Sequence, residues 1–232
     1  AVGWDCGPAN SLIDLAMEIF SEGQERCDRD GAMAALGQVM TGPLAHWLRE
    51  PYFHRPAPKS TGRELFGRED LNRRLTELQP ASPEDQMATL TAFTAAVVAQ
   101  DLQQLSHLDL PRPVEMVVAG GGRRNRTLMR ELQSRCQGLR VRPSDELQLP
   151  CESREALAFA LLAWWHHRDL PGNAPSITGA ERCCVLGVRI EPAEALSATQ
   201  QPTQITQAGA AADAWERHGV GEAAGPPAPN AV

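Results

Sequence analysis

The first twenty residues, AVGWDCGPANSLIDLAMEIF, change from an alternating to a helical pattern of hydrophobic positions. Apolar side chains alternate with glycine and aspartate over residues 2–6, which is typical of a short strand. A glycine-proline pair interrupts the pattern, and apolar residues then recur at helical spacing over residues 12–20. The pattern therefore predicts a strand, a tight turn and a helix whose first turn is capped by Asn10 or Ser11.

The same spacing rules divide the rest of the chain into elements. Helices are predicted at 32–40, 43–49, 64–78, 84–105 and 152–167, and strands at 139–142 and 183–190. The stretch VEMVVAGGGRRNRTLMRELQSRC predicts a buried strand, a glycine-rich turn and a helix. Strands that alternate with helices indicate the α/β class. Residues 192–232 are rich in Ala, Gln, Thr, Gly and Pro, so we expect a disordered tail there.

Composition and charge narrow the classes of partner. A chain with 42% apolar residues can form a substantial core, whereas a net charge of −7 argues against nucleic acid or an anionic membrane as the main partner. No apolar run approaches the roughly 20 residues that a membrane-spanning helix needs. The six cysteines form no CxxC pair, so we expect reduced thiols and a cytoplasmic protein.

Two glycine-containing turns are candidate phosphate-binding sites. In the stretch Trp4–Asn10, Gly7 lets an anion approach the backbone, and Asp5 can act as a general base or position a Mg²⁺-bound water. The alternative is an ordinary turn that Asp5 caps. Gly120–Gly122, followed by Asn125, offers flat backbone to a nucleotide or sugar, although it matches neither the Rossmann nor the P-loop motif. Its alternative is a tight turn without a ligand.

The other candidates are weaker. The loop Lys59–Glu64 combines cations and hydroxyls that suit an anion or a sugar, or it is a solvated loop with a helix cap. Glu155 begins an apolar helix, where a carboxylate either faces solvent or meets a ligand. Adjacent side chains diverge, so neither the histidine pair nor the cysteine pair predicts a metal site, and we expect no metal held by these residues.

Taken together and in order, seven stretches resemble the anhydro-N-acetylmuramic acid kinase family of sugar kinases. They are WDCGPANSLID, DRDGAMAALGQV, PYFHRPAPKSTGRE, EDQMATLTAFTA, VVAGGGRRNRTLM, EALAFALLA, and NAPSITGA followed by VLGVRI. The resemblance implies an α/β fold of the ribonuclease H-like, actin/hexokinase ATPase type, with a mixed sheet and packed helices over residues 1–191. It also implies transfer of the ATP γ-phosphoryl group, with Mg²⁺, to the 6-hydroxyl of the anhydro amino sugar, coupled to hydrolytic opening of its ring during peptidoglycan recycling.

The resemblance implies roles for the residues that match the family's motifs. Asp5 matches the family's Asp in F-D-T-G-P-G-N and is expected to activate the water that opens the ring. Gly7, the glycine turn at 120–122 and Asn125 match ATP-binding positions, and Glu155 matches a glutamate expected near the sugar. Two positions depart from the family pattern: Cys6 replaces Thr, and Ala9 replaces Gly.

The family's first lobe carries a G-T-S-x-D-G phosphate loop that does not occur in this sequence. We therefore expect the C-terminal lobe of such a kinase, inactive without a first lobe in the same chain upstream or in a separate subunit. The family also suggests a homodimer. Two alternatives stay open: a non-catalytic ligand-binding or interaction remnant of the fold, and a related sugar kinase with a different acceptor.

Overall fold

The computed structural model describes residues 2–105, 113–148 and 153–190. The α-helices are α1 (Ser11–Phe20), α2 (Thr41–Trp47), α3 (Arg68–Glu77), α4 (Pro83–Gln104), α5 (Arg126–Arg135), α6 (Arg154–His167) and α7 (Pro175–Thr178). Strands β1 (Glu115–Val118) and β2 (Arg140–Pro143) pair in parallel. Short 3₁₀ helices cover Arg29–Gly31, Ala34–Leu36, Pro51–His54, Gly121–Arg124 and Ser144–Leu147. The chain divides into Ala1–Gly187, which holds all these elements, and Val188–Val232, of which only residues 188–190 are described.

Helix α4 lies at the centre of this unit. Its N-cap is Ser82, whose hydroxyl accepts a hydrogen bond from the Asp85 amide at 3.2 Å, and Pro83 begins the first turn. The small and apolar residues between 86 and 99 are almost all buried, as the sequence predicted for a helix packed on several sides. The helix can therefore contact two separate hydrophobic clusters along its length.

The larger cluster joins α4 to α1, α2 and α3. Aromatic rings fill its middle: Phe93 of α4 makes edge-to-face contacts with Trp47 and Phe53, at centroid distances of 5.3 and 5.4 Å. Arg74 of α3 is fully buried beside Phe93, and the carboxylates of Asp70 and Glu50 each accept one of its hydrogen bonds at 2.8 Å. A buried cation needs such partners, and the bond to Glu50, which lies outside α3, ties the helix to the segment before the Pro51–His54 turn.

The smaller cluster packs α5 and the sheet against the other part of α4. Leu128 and Leu132 of α5 are buried against Ala95 and Ala99 of α4. In the sheet, Met116 of β1 aligns with Val141 of β2. The α/β class predicted from the sequence is confirmed. Among the described residues the sheet has only this parallel pair, so the antiparallel pairing of a mixed sheet does not occur in this part of the chain.

Three predicted elements are wrong. Residues 2–6 and 183–190 form no strand, because their hydrogen bonds go to loops and side chains: the Asp5 amide to the Lys59 carbonyl, and the Cys184 amide to Asn173 Oδ1. Residues 32–40 form a 3₁₀ turn followed by extended chain. The amides of Gln38 and Met40 there donate to side chains at the start of α4 instead of to preceding carbonyls.

Helix α6 confirms the helix predicted near its position, but none of its side chains is buried. Among the described residues, no helix is both long enough and apolar enough to cross a membrane. The tail predicted at 192–232 lies outside the described residues.

Candidate functional site

Asp5 is the exposed carboxylate at the centre of the site. Its Oδ2 accepts hydrogen bonds from the Ser60 hydroxyl at 2.8 Å and from the Thr61 amide at 3.0 Å. The backbone of Asp5 is also held, because its amide donates to the Lys59 carbonyl at 3.0 Å and its carbonyl accepts from the Tyr52 hydroxyl at 2.7 Å. Four hydrogen bonds therefore fix Asp5, two at the carboxylate and two at the backbone, and among the described residues none of them goes to Oδ1.

A buried ion pair lies behind Asp5. Lys59 Nζ is 3.0 Å from Asp101 Oδ1, and both side chains are less than 5% exposed. The Trp4 indole donates to the other oxygen of Asp101 at 2.7 Å. Burial, and then the nearby Asp101 carboxylate, raise the pKa of the Cys6 thiol to about 12, so Cys6 is a neutral thiol. From the sequence, Lys59 was a candidate cation for binding an anion. In the structure its charge is instead paired with Asp101 inside the protein.

A cavity of about 260 Å³ opens next to Asp5. Its walls are residues 4–9, Thr61 and the α4 side chains of Thr94, Val97 and Val98. A Cβ atom at Gly7 would lie 2.9 Å from Val97 Cγ1, so glycine is needed here for close packing on α4. The cavity therefore has one charged wall, at Asp5, and one largely apolar wall, along α4.

The second glycine turn lies next to the first motif. A Cβ atom at Gly122 would be 2.9 Å from Asn10 Oδ1, so the two turns approach each other closely. Gly120 has a φ of 87°, and neither Gly120 nor Gly121 would bring an added Cβ within 4 Å of another atom. These two glycines thus leave open backbone that a flat ligand could contact.

Asn125 has a structural role at the end of the glycine turn. Its Oδ1 accepts a hydrogen bond from the Leu128 amide at 2.8 Å and caps α5, and the residue is only 7% exposed. Arg123 of the same turn pairs with Asp145, and this hydrogen bond lowers the pKa of the Asp145 carboxyl. The glycine turn is therefore anchored where it leads into α5.

Glu155 is not brought to this site. It stands in the first turn of α6, its side chain is 83% exposed, and among the described residues it pairs with Arg154 at 4.0 Å. The structure thus places Asp5 and Gly7 at one cavity and Gly122 close to Asn10 of the same motif, with the Asn125 amide bonded to the Gly122 carbonyl, but it leaves Glu155 at the surface.

Sequence reasoning missed three residues of the site: Trp4, Tyr52 and Asp101. The only signal for Asp101 was a carboxylate near the end of an otherwise apolar helical pattern. Nothing marked Trp4 as its partner, because the two residues are 97 positions apart.

Asp5 and the second glycine turn offer groups of the kind that Mg²⁺ and ATP require. Mg²⁺ beside nucleotide phosphates is held by one or two carboxylates and several waters. The described residues contain no cluster of three or more His, Cys, Asp or Glu side chains suited to a metal ion. A nucleotide-bound Mg²⁺ needs as few as one carboxylate, and Asp5 can supply it. The open backbone at 120–121 suits a nucleotide, so the residues fit both groups.

Comparison with known proteins adds an independent finding. The family model described as anhydro-N-acetylmuramic acid kinase matches residues 1–192. Curated relatives of that name occur in Synechococcus sp. strain CC9311 (65% identity over 191 residues, 82% of this chain and 50% of the relative) and Parasynechococcus marenigrum strain WH8102 (64% over 192 residues, 83% and 51%). A third, from Synechococcus sp. strain WH7803, is 62% identical over 192 residues, 83% of this chain and 50% of the relative. The chain spans about half the length of the curated relatives it matches.

Proposed function

Since this chain belongs to the anhydro-N-acetylmuramic acid kinase family, we propose that it forms part of an enzyme that phosphorylates 1,6-anhydro-N-acetylmuramic acid with ATP. The reaction also opens the anhydro ring by hydrolysis and yields N-acetylmuramic acid 6-phosphate for peptidoglycan recycling. One observation carries the proposal: the carboxylate that matches the family's expected base, Asp5, is the one fixed at the wall of the cavity.

The chemistry of Asp5 follows from its hydrogen bonds. With Oδ2 held by Ser60 and Thr61, the carboxylate keeps one orientation and presents Oδ1 as a proton acceptor. In the proposed reaction Asp5 removes a proton from a water whose oxygen bonds to C1 of the sugar. The bond from C1 to the bridging oxygen breaks, and that oxygen, which stays on C6, bonds to the γ-phosphorus of ATP. The bond from that phosphorus to the β–γ bridging oxygen breaks, and ADP leaves. Holding base and acceptor in one cavity couples the two steps.

The nucleotide is assigned to the two glycine turns. ATP supplies the phosphoryl group, and Mg²⁺ neutralises the charge that develops during its transfer. Gly120, Gly121 and Gly122 offer backbone to the nucleotide, while Gly7 belongs to the phosphate motif and Asn125 holds the turn at the start of α5. Glu155 is proposed as a sugar contact on the family resemblance alone.

The architecture and setting are part of the same proposal. Residues 1–191 form the C-terminal, ribonuclease H-like lobe of a two-lobe kinase, and the enzyme is a cytoplasmic homodimer. The half-length match to the relatives supports the division into lobes.

The test is a chimera in which residues 1–192 replace the matching part of the Synechococcus CC9311 relative, which is 65% identical over 191 residues. We expect ATP-dependent formation of the sugar 6-phosphate by the chimera. Asp5→Asn should lower kcat by about 100- to 10,000-fold, the usual contribution of a general base. Product is quantified by mass spectrometry, with Glu69→Gln, an exposed carboxylate on α3, as the matched control.

Three results would contradict the proposal. If the Asp5→Asn chimera keeps the kcat of the unmodified chimera, Asp5 is not the general base. If this chain alone turns over the substrate, the reaction does not need a second lobe. A folded chimera that binds ATP but makes no product supports the non-catalytic alternative, which the departures at Cys6 and Ala9 favour.

A further inference from the structure

A buried carboxylate interrupts the apolar surface of α4. Asp101 is 2% exposed, and its two oxygens accept hydrogen bonds from Lys59 Nζ at 3.0 Å and Trp4 Nε1 at 2.7 Å. Removing two ions from water costs free energy that their attraction only partly offsets, and an apolar pair of similar volume is often at least as stable. Stability alone therefore does not account for this pair.

Both partners of Asp101 adjoin Asp5. Trp4 directly precedes Asp5 in the chain, and the carbonyl of Lys59 accepts the hydrogen bond of the Asp5 amide. The next two residues of the Lys59 loop donate the two hydrogen bonds to Asp5 Oδ2. Asp101 thus holds the chain on both sides of the carboxylate without touching it.

Tyr52 provides a second connection between Asp5 and Lys59. Its hydroxyl donates to the Asp5 carbonyl at 2.7 Å, and the Lys59 ammonium lies 5.2 Å from the centre of its ring. A cation over an aromatic face is attracted to it, so the position of Lys59 also restrains Tyr52. Among the described residues, each hydrogen-bond partner of Asp5 is therefore Lys59 itself, a residue that contacts Lys59, or one that follows it in the loop.

We propose that Asp101 is a positioning residue for Asp5, which it acts on through the buried pair with Lys59. The inference rests on the proposed function for its effect on rate, but its effect on the loop is independent of any activity. Without the pair, the Lys59 loop loses its attachment to α4, and Asp5 Oδ2 loses its fixed hydrogen-bond donors.

The first measurement uses this chain with Asp101→Asn combined with Lys59→Met. The double variant removes both charges, so it leaves no unpaired ion in the core and should keep a cooperative melting transition near that of the wild type. Hydrogen exchange at the amides of Asp5 and Thr61 should become faster by about tenfold or more, because local opening no longer breaks the ion pair. Unchanged exchange at both amides overturns the inference, whatever the activity.

The second measurement places the same double variant in the CC9311 chimera. A displacement of about 1 Å at a reacting group can cost about 100-fold in rate, so kcat should fall by about that factor while KM for ATP stays within about twofold. A kcat equal to that of the unmodified chimera overturns the inference while the proposed function stands. If the unmodified chimera is inactive, the proposed function fails and the exchange measurement still decides the positioning role.

The control is a second buried ion pair among the described residues, between Asp70 and Arg74 on the α3 side of the core, where Arg74 also bonds Glu50. Asp70→Asn combined with Arg74→Met removes this pair, whose hydrogen bond is 2.8 Å long, away from the Lys59 loop. It should leave exchange at Asp5 and Thr61, and kcat in the chimera, at wild-type values. An equal fall in kcat for both pairs would show that any buried pair has this effect, and it would overturn the specific role of Asp101.

Discussion

At the scale of single residues, Ala9 carries backbone strain that the family pattern avoids. Its φ of 47° lies in the left-handed region, which costs an L-residue about 1–2 kcal/mol. Ala9→Gly should raise the free energy of unfolding by about 0.5–1 kcal/mol, because relief of strain exceeds the extra chain entropy of glycine in the unfolded state. Urea denaturation of the chain measures the change.

The control for Ala9→Gly is an exposed alanine with right-handed helical geometry. Ala45 in α2 meets this condition, and Ala45→Gly should lower the free energy of unfolding by about 0.5–1 kcal/mol. If both substitutions destabilise the chain equally, the conformation at Ala9 is not strained.

Some residues of the site could be selected from the sequence, whereas their contacts could not. Asp5 and Gly7 stand in one short motif, so their types and spacing sufficed to select them. Their surroundings come from elsewhere in the chain: Lys59 reaches Asp101 across 42 positions, and Trp4 reaches it across 97. Local patterns contain no information on such contacts. The functions assigned to Asp5 and the glycines remain predictions.

At the scale of elements, α1 and α5 were predictable because one hydrophobic period holds over each of them, and α4 because its run of small and apolar residues is long. The apolar run at β1 predicted a strand correctly, but its residues are half-buried or exposed and not buried as predicted. Residues 32–40 have helical spacing but fold differently, since side chains of α4 take the hydrogen bonds of the Gln38 and Met40 amides. Residues 2–6 also form no strand, since the Asp5 amide donates to the Lys59 carbonyl in a loop. Periodicity thus identified elements that are stabilised locally and failed where distant groups supply the hydrogen bonds.

The cap of α5 gives a prediction at this scale. Asn125→Ala should lower the free energy of unfolding by about 1 kcal/mol, because the Leu128 amide loses its acceptor. Asn125→Asp should keep most of the stability, since aspartate caps as well as asparagine. Thermal and urea unfolding measure both variants.

The same two variants separate capping from nucleotide contact in the CC9311 chimera. If Asn125 only caps α5, Asn125→Asp keeps the wild-type KM for ATP. If the side chain also contacts the nucleotide, the added negative charge repels the phosphates and raises KM for ATP while stability is kept. A stable Asn125→Ala variant would contradict the capping role.

At the scale of the whole molecule, the balance of buried and exposed apolar groups differs along the chain. Around α4 the apolar side chains are buried in two clusters, whereas α6 exposes Phe159 by 70% and Leu157 by 57%. Trp164 of the same helix is 50% exposed. Isolated exposed apolar residues are common, but several on one helix form a surface that tends to associate.

We therefore expect the purified chain to self-associate through α6. Leu157→Gln with Leu161→Gln, two exposed residues one turn apart on the same face of α6, should weaken self-association by about 100-fold or more, since large apolar side chains each contribute about 1.5 kcal/mol or more when buried. The free energy of unfolding should change by less than about 0.5 kcal/mol, because these side chains are exposed in the monomer. Sedimentation velocity and urea denaturation measure the two quantities, with Glu69→Gln as the control. A variant that loses stability instead would show that α6 packs inside the monomer, and association through its apolar face would then be excluded.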